Sequence, residues 1–152
     1  MVVIFIFAGK LSLLRRIAIS LLIPYIFLVL ASTVLDRPTE SEMKYILKPF
    51  WSYKEIAKGG EYGDYIKDEV FLNVLMLVPV GILVPLIAKR KRLLKTLIVA
   101  LSTTAVIETL QLVLKRGYFE FDDIFHNTAG ALGAAILTII VYSILTIFSD
   151  DR

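Results

Sequence analysis

The sequence predicts an all-α fold, a polytopic bundle of four transmembrane helices. Three observations predict it: 57% of the residues are hydrophobic, the mean hydropathy is +0.76, and four apolar runs of spanning length recur along the chain. A soluble domain of 152 residues does not bury so much apolar sequence, whereas about 20 apolar residues suffice to cross a bilayer. We therefore expect residues 1–152 to form a single transmembrane domain.

The four predicted spans are residues 17–35, 70–88, 96–114 and 124–148, and Glu108 is the one acidic or basic residue inside them. The first run has an alternative interpretation. Val29-Leu30-Ala31 resembles the small-residue site at which a signal peptide is cleaved. The run is long for a signal sequence, so we favour a retained helix.

Lysine and arginine in the short connections predict the orientation. Residues 89–95 contain five basic residues and no acid, and Lys10, Arg15 and Arg16 precede the first span. Residues 36–69 contain six basic and eight acidic residues. Both termini are therefore expected on the cytoplasmic side of the cell membrane. Residues 36–69 are expected to form an outer interfacial loop, which its aromatic residues anchor. The basic charge serves this anchoring, and nucleic acid is not an expected partner.

Several chemistries have no support in the sequence. Cysteine is absent, which excludes disulfides, thiolate catalysis and thiolate metal sites. His126 is the only histidine, and Ser102 and Ser143 have no histidine at a recognisable spacing, so a serine triad is not supported. A lone histidine near a membrane surface is more often structural than catalytic.

Polar residues inside the spans lie near the predicted outer ends, which indicates one shared site open to the outside. Helical spacing places Thr104, Glu108 and Gln111 on one face of the third span, and Asp123, Asn127 and Gly130 on one face of the fourth. We expect antiparallel packing to set these two faces against each other, with Gly130 allowing close approach and Asp122 turned toward Arg116. The second span adds Asn73, followed by Pro79, which is expected to kink that helix.

The candidate site supports more than one chemistry. Glu108 with Asp122 or Asp123 forms a candidate catalytic acid/base pair. Glu108 and Asp123 are also candidate ligands for a divalent cation such as Mg²⁺ or Ca²⁺. Arg116 suits either a lipid phosphate or an internal ion pair. The candidate ligand-binding residues are Asn73, Gln111, Arg116 and Asn127. The alternative is that these groups only join helices.

Several segments together resemble the VanZ-like family of small prokaryotic membrane proteins. They are Leu47-Lys48-Pro49-Phe50-Trp51-Ser52, Asn73-Val74-Leu75-Met76-Leu77-Val78-Pro79-Val80-Gly81, Ile107-Glu108-Thr109-Leu110-Gln111, Arg116, and residues 121–133 from Phe121-Asp122-Asp123 to Leu132-Gly133. The resemblance covers about residues 30–145. It implies that the polar positions named above are the family's signature positions. It also implies an association with low-level resistance to teicoplanin, an acylated glycopeptide.

Three hypotheses follow. The first is an outward-facing polar pocket that recognises a lipid-linked envelope intermediate or an acylated glycopeptide. The second is an intramembrane hydrolase or transferase acting on a lipid head group. The third is a structural or assembly protein. Membrane lipids are partners in each, and transport would require an oligomer, because four spans without polar groups at the inner end form no conduit.

Overall fold

The computed structural model describes residues 12–150, without the side chains of 148–150, so Lys10 of the orientation argument lies outside the described residues. The elements are α1 (Leu13–Leu30), which continues as a π-helical turn (Ala31–Leu35), β1 (Lys44–Ile46), α2 (Trp51–Lys58), α3 (Gly60–Met76), α4 (Val78–Ile87), α5 (Arg92–Val113), β2 (Tyr118–Glu120) and α6 (Phe121–Asp150).

Within the described residues, four helical stretches are long and apolar enough to cross a membrane: Leu13–Leu35, Gly60–Ile87, Arg92–Val113 and Phe121–Ile147. These confirm the predicted four-helix membrane bundle. The second stretch begins at Gly60 rather than near residue 70, because its polar first turns are already helical. The outer connection is correspondingly shorter than 36–69, and it contains the short helix α2.

The second span is broken at Leu77, which separates α3 from α4. Pro79 occupies the first turn of α4, where its missing N–H costs little. The Tyr25 hydroxyl of the first span donates to the carbonyl oxygen of Met76 at 2.5 Å. The predicted proline break therefore exists, and a neighbouring helix satisfies a carbonyl beside it.

The fourth span is the centre of the bundle and packs against the second and third spans, while the first span packs on α4. A Cβ added to Gly130 would lie 1.8 Å from the carbonyl oxygen of Val74, and one added to Gly81 would lie 2.1 Å from that of Ala131. The expectation that Gly130 faces the third span is therefore wrong. Its missing side chain instead allows the backbones of the second and fourth spans to meet.

The two connections at the α2 end of the bundle are joined by a parallel two-stranded sheet, in which Lys44 pairs with Tyr118 and Ile46 with Glu120. The sequence analysis did not predict this pairing. Its strands are three residues long and lie more than seventy positions apart, so no local pattern marks them. The sheet and α2 lie at the same end of the bundle.

Candidate functional site

Asp122 holds α2 against the fourth span. Its carboxylate accepts hydrogen bonds from the backbone N–H of Phe50 at 2.6 Å and from the backbone N–H and hydroxyl of Ser52 at 3.1 and 2.7 Å. Phe50 is the N-cap residue of α2 and Ser52 lies in its first turn, where the backbone N–H groups have no partner within the helix. Asp122 therefore caps a helix from another element, and its oxygens are occupied by structural bonds.

Arg116 holds the end of the first span. Its Nη1 donates to the carbonyl oxygens of Leu35 and Arg37. The expected approach of Asp122 toward Arg116 is therefore wrong, because each side chain bonds main-chain groups of a different segment. Arg116 satisfies carbonyls at the end of a helix, where four are left without intrahelical donors.

Glu108 and Asp123 lie near enough for their charges to interact. Oε2 of the buried Glu108 accepts the backbone N–H of Glu120 at 2.8 Å, which ties the third span to β2. The charge of Asp123 acts on Glu108, and the Asn73 amide lies beside the Asp123 carboxylate. Three spans therefore contribute polar groups to one region at this end of the bundle.

Asn127 and Gln111 lie in the interior and join helices. Nδ2 of Asn127 donates to the hydroxyl of Thr104 at 3.1 Å, and Nε2 of Gln111 donates to the carbonyl of Thr33 at 3.1 Å. Asn127 was expected against Glu108 and Gln111, but it reaches Thr104, one turn deeper. The Oδ1 of Asn127 and the Oε1 of Gln111 accept no hydrogen bond from the described residues.

His126 is 1% exposed and packs against α2. Its Nε2 lies 3.0 Å from the Tyr53 hydroxyl, and its ring contacts those of Tyr53 and Phe125 edge-on. This environment agrees with a structural role. Among the described residues, no group of three or more His, Asp or Glu side chains is placed to hold a metal ion. The divalent-cation site at Glu108 and Asp123 therefore stays a prediction without a complete ligand set.

A cavity of about 630 Å³ lies at the same end of the bundle, between the second span and the sheet. Its volume is within the range of small-molecule sites, about 300–1,000 Å³. None of the seven predicted site residues forms its wall. Its charged and aromatic lining consists of Arg37, Glu40, Trp51, Tyr62, Tyr65, Glu69, Tyr118 and Glu120.

The sequence analysis missed this lining. Trp51, Tyr62 and Tyr65 recur among charges, and that pattern was interpreted as an interfacial belt. Glu69 was counted only in the charge of residues 36–69, and Glu120 was not considered as a site residue. The signal that could have found them is the helical spacing of Tyr62, Tyr65 and Glu69, which sets them on one face of α3.

Glu120 lies on the cavity wall, outside the spans, and its pKa is shifted. Burial, followed by the charges of Asp123 and Glu69, raises the pKa of Glu120 from 4.5 to about 8, and Trp51 and Arg37 oppose the rise. The Trp51 indole N–H is near enough to contribute, although it meets no acceptor at hydrogen-bond geometry. A carboxyl group with such a pKa exchanges its proton near neutral pH.

The raised pKa of Glu120 makes the stability of the fold pH-dependent. The folded state keeps this proton where the unfolded state has lost it, so the unfolding free energy falls as pH rises from about 4.5 to about 8. Glu120→Gln imitates the protonated form and is expected to flatten that part of the profile. The measurement is the thermal unfolding midpoint in detergent across this window. Glu61→Gln, an exposed change outside the cavity, should keep the wild-type slope, and an equal slope in both variants would contradict the assignment.

The fold and the site define a four-span helical membrane protein with a polar cavity at one end of the bundle. A model of the VanZ/LLP1 family matches residues 17–144, which is most of the chain. The chain therefore belongs to the VanZ/LLP1 family, as the resemblance predicted. Comparisons with curated proteins and with solved structures gave no match.

Proposed function

We propose that this protein binds the polar head of an amphiphile in the cavity, from the outer face of the cell membrane. The observation that carries the proposal is the cavity itself, about 630 Å³ with charged and aromatic walls at one end of a membrane bundle. The basic connection at the other end supports an outward orientation. The family's association with teicoplanin resistance makes an acylated glycopeptide one candidate, and a lipid-linked envelope intermediate is the other.

One face of the second span runs from the cavity to the lipid-facing surface, which favours an amphiphilic ligand over a fully soluble one. Tyr62, Tyr65 and Glu69 line the cavity, and Leu72 continues the same helical face toward the apolar part of the span. Leu72 is 63% exposed, as expected for a side chain in contact with lipid. A head group beside Glu69 could therefore keep its acyl chain along this face without leaving the bilayer.

Native mass spectrometry of the protein extracted in mild detergent tests the proposal, without and with added teicoplanin. We expect an adduct of amphiphile mass on the wild type. Tyr65→Ala with Glu69→Ala should lose it, because both side chains belong to the cavity wall. Lys67→Ala, an exposed change on the same helix but outside the cavity, should retain it. Equal adducts on all three folded proteins would sink the proposal.

A hydrolase or transferase acting on the bound head group is the second candidate. The observation that favours it is the electrostatic coupling of Glu120 on the cavity wall with Asp123. A carboxyl group whose pKa lies near neutrality suits general acid/base chemistry. This candidate requires a head-group product from the bound amphiphile that Glu120→Gln abolishes. Intact ligand recovered after long incubation, with and without Mg²⁺, would count against it.

A further inference from the structure

The basic residue of the cavity wall is Arg37. Within the described part of the chain, the ion pairs are Lys44 with Glu40 at 2.8 Å and Lys58 with Glu55 at 2.6 Å. Arg37, on the cavity wall, is in neither pair. The Arg37 guanidinium instead packs on Gly117, where an added Cβ would lie 2.6 Å from Nη1. It therefore presents an unpaired, partly fixed cation to the cavity.

The acids that line the cavity are Glu40, Glu69 and Glu120. Glu40 is paired with Lys44, whereas neither Glu69 nor Glu120 is in an ion pair within the described residues. Glu69 accepts a hydrogen bond from the Tyr65 hydroxyl at 2.6 Å, which orients its carboxylate. Aromatic faces adjoin these acids, and one of them, Tyr118, already has the Lys44 ammonium 5.2 Å from its ring centroid. Carboxylates beside aromatic faces are a favourable environment for an ammonium group.

We propose that the cavity takes a zwitterionic head group that carries both a phosphate and a primary amine. The phosphate contacts Arg37, and the ammonium lies between Glu69 and Glu120. A primary ammonium donates three hydrogen bonds, which suits the carboxyl groups of Glu69 and Glu120, and its positive charge would favour the ionised form of Glu120. This inference rests on the proposed function and specifies its ligand class.

The charge arrangement discriminates against simpler head groups. An anionic phosphate without an amine would place its charge near Glu69 and Glu120 and leave them without a partner. A cation without a phosphate would leave Arg37 unpaired and be repelled by it. Selectivity of this kind comes from the repulsive contacts as much as from the attractive ones.

Trp51 provides the measurement, because it is the only tryptophan of the chain and lines the cavity. Its emission would be followed in micelles during titration with short-chain phosphatidylethanolamine, short-chain phosphatidylglycerol and soluble glycerophosphoethanolamine. We expect a saturable change with phosphatidylethanolamine at concentrations about tenfold lower than any response to phosphatidylglycerol. The soluble compound distinguishes the source, since an amphiphile site should bind it more weakly than the lipid.

Two variants test the two ends of the ligand. Arg37→Gln and Glu120→Gln should each weaken phosphatidylethanolamine binding about tenfold, the loss of one charge-assisted contact. Lys48→Gln and Glu61→Gln remove an exposed charge of the same sign outside the cavity and should leave binding unchanged.

The outcomes separate this inference from the proposed function. Equal responses to the two lipids would overturn the zwitterion assignment and leave amphiphile binding standing. Soluble compound bound as tightly as the lipid would support the zwitterion and argue against an amphiphile. If the protein is folded and its Trp51 emission responds to neither the lipids nor the soluble compound, the inference is overturned. If native mass spectrometry also shows no adduct, the proposed function is overturned as well.

Discussion

Gly130→Ala is expected to cost about 3 kcal/mol or more of stability and to give little folded protein. The new Cβ would lie 1.8 Å from the carbonyl oxygen of Val74 and 2.8 Å from its carbonyl carbon. Both are backbone atoms of the second span, which cannot move aside as a flexible side chain can. The second and fourth spans would have to separate, and with them the helix face that forms the cavity wall. The measurement is the yield of monodisperse protein and its thermal unfolding midpoint in detergent.

Gly133→Ala is the matched control for that change. It lies on the same helix, and a Cβ there meets nothing within 4 Å. Since alanine favours a helix over glycine by up to about 1 kcal/mol, this variant should be as stable as the wild type or more stable. Equal unfolding midpoints for the two variants would show that the close approach at Gly130 does not exist.

Asp122→Ala is expected to release α2 from the bundle, at a cost of about 2–4 kcal/mol. Three hydrogen bonds to one buried carboxylate are lost, and the N–H groups of Phe50 and Ser52 are left without an acceptor. A donor left unpaired in a buried place costs more than the bond contributed. Hydrogen exchange resolved by segment should show faster exchange across residues 50–58, and the emission of Trp51 should shift to longer wavelength.

The spans themselves should remain folded in Asp122→Ala, because the change is local to the end of the bundle. Asp122→Asn keeps one acceptor oxygen and is expected to lose about half as much stability. Asp68→Ala removes an exposed acid outside this contact and should leave exchange unchanged. Protection of residues 50–58 equal to that of the wild type in Asp122→Ala would contradict the capping role.

Both predictions bear on function through the same region. Gly130 sets the distance between the second and fourth spans, and Asp122 fixes α2, which carries Trp51 on the cavity wall. Loss of ligand binding in either variant would therefore report a displaced wall. The changes at Arg37 and Glu120 are the ones that address recognition, because they alter the polar groups of the cavity wall and leave the contacts of Gly130 and Asp122 in place.

The extent of the helices shows where sequence-based prediction stops. Hydropathy located every span, because crossing a bilayer requires a run of apolar residues whatever the neighbours are. It placed the start of the second span near residue 70, whereas the helix begins at Gly60. The additional turns are polar. A helix that continues into water forms the same backbone hydrogen bonds as it does in the bilayer, so hydropathy does not mark the end of the helix.

The sequence by itself determined the four-helix membrane bundle, the family, and the set of costly polar residues near one end. Only the tertiary structure decided what those residues contact: Asp122 bonds α2, Arg116 bonds the first span, and Glu108 bonds β2. It also placed the cavity among other residues. The physical reason is that hydropathy and helical spacing belong to each segment alone, whereas a hydrogen-bond partner or a cavity exists only between segments distant in the chain.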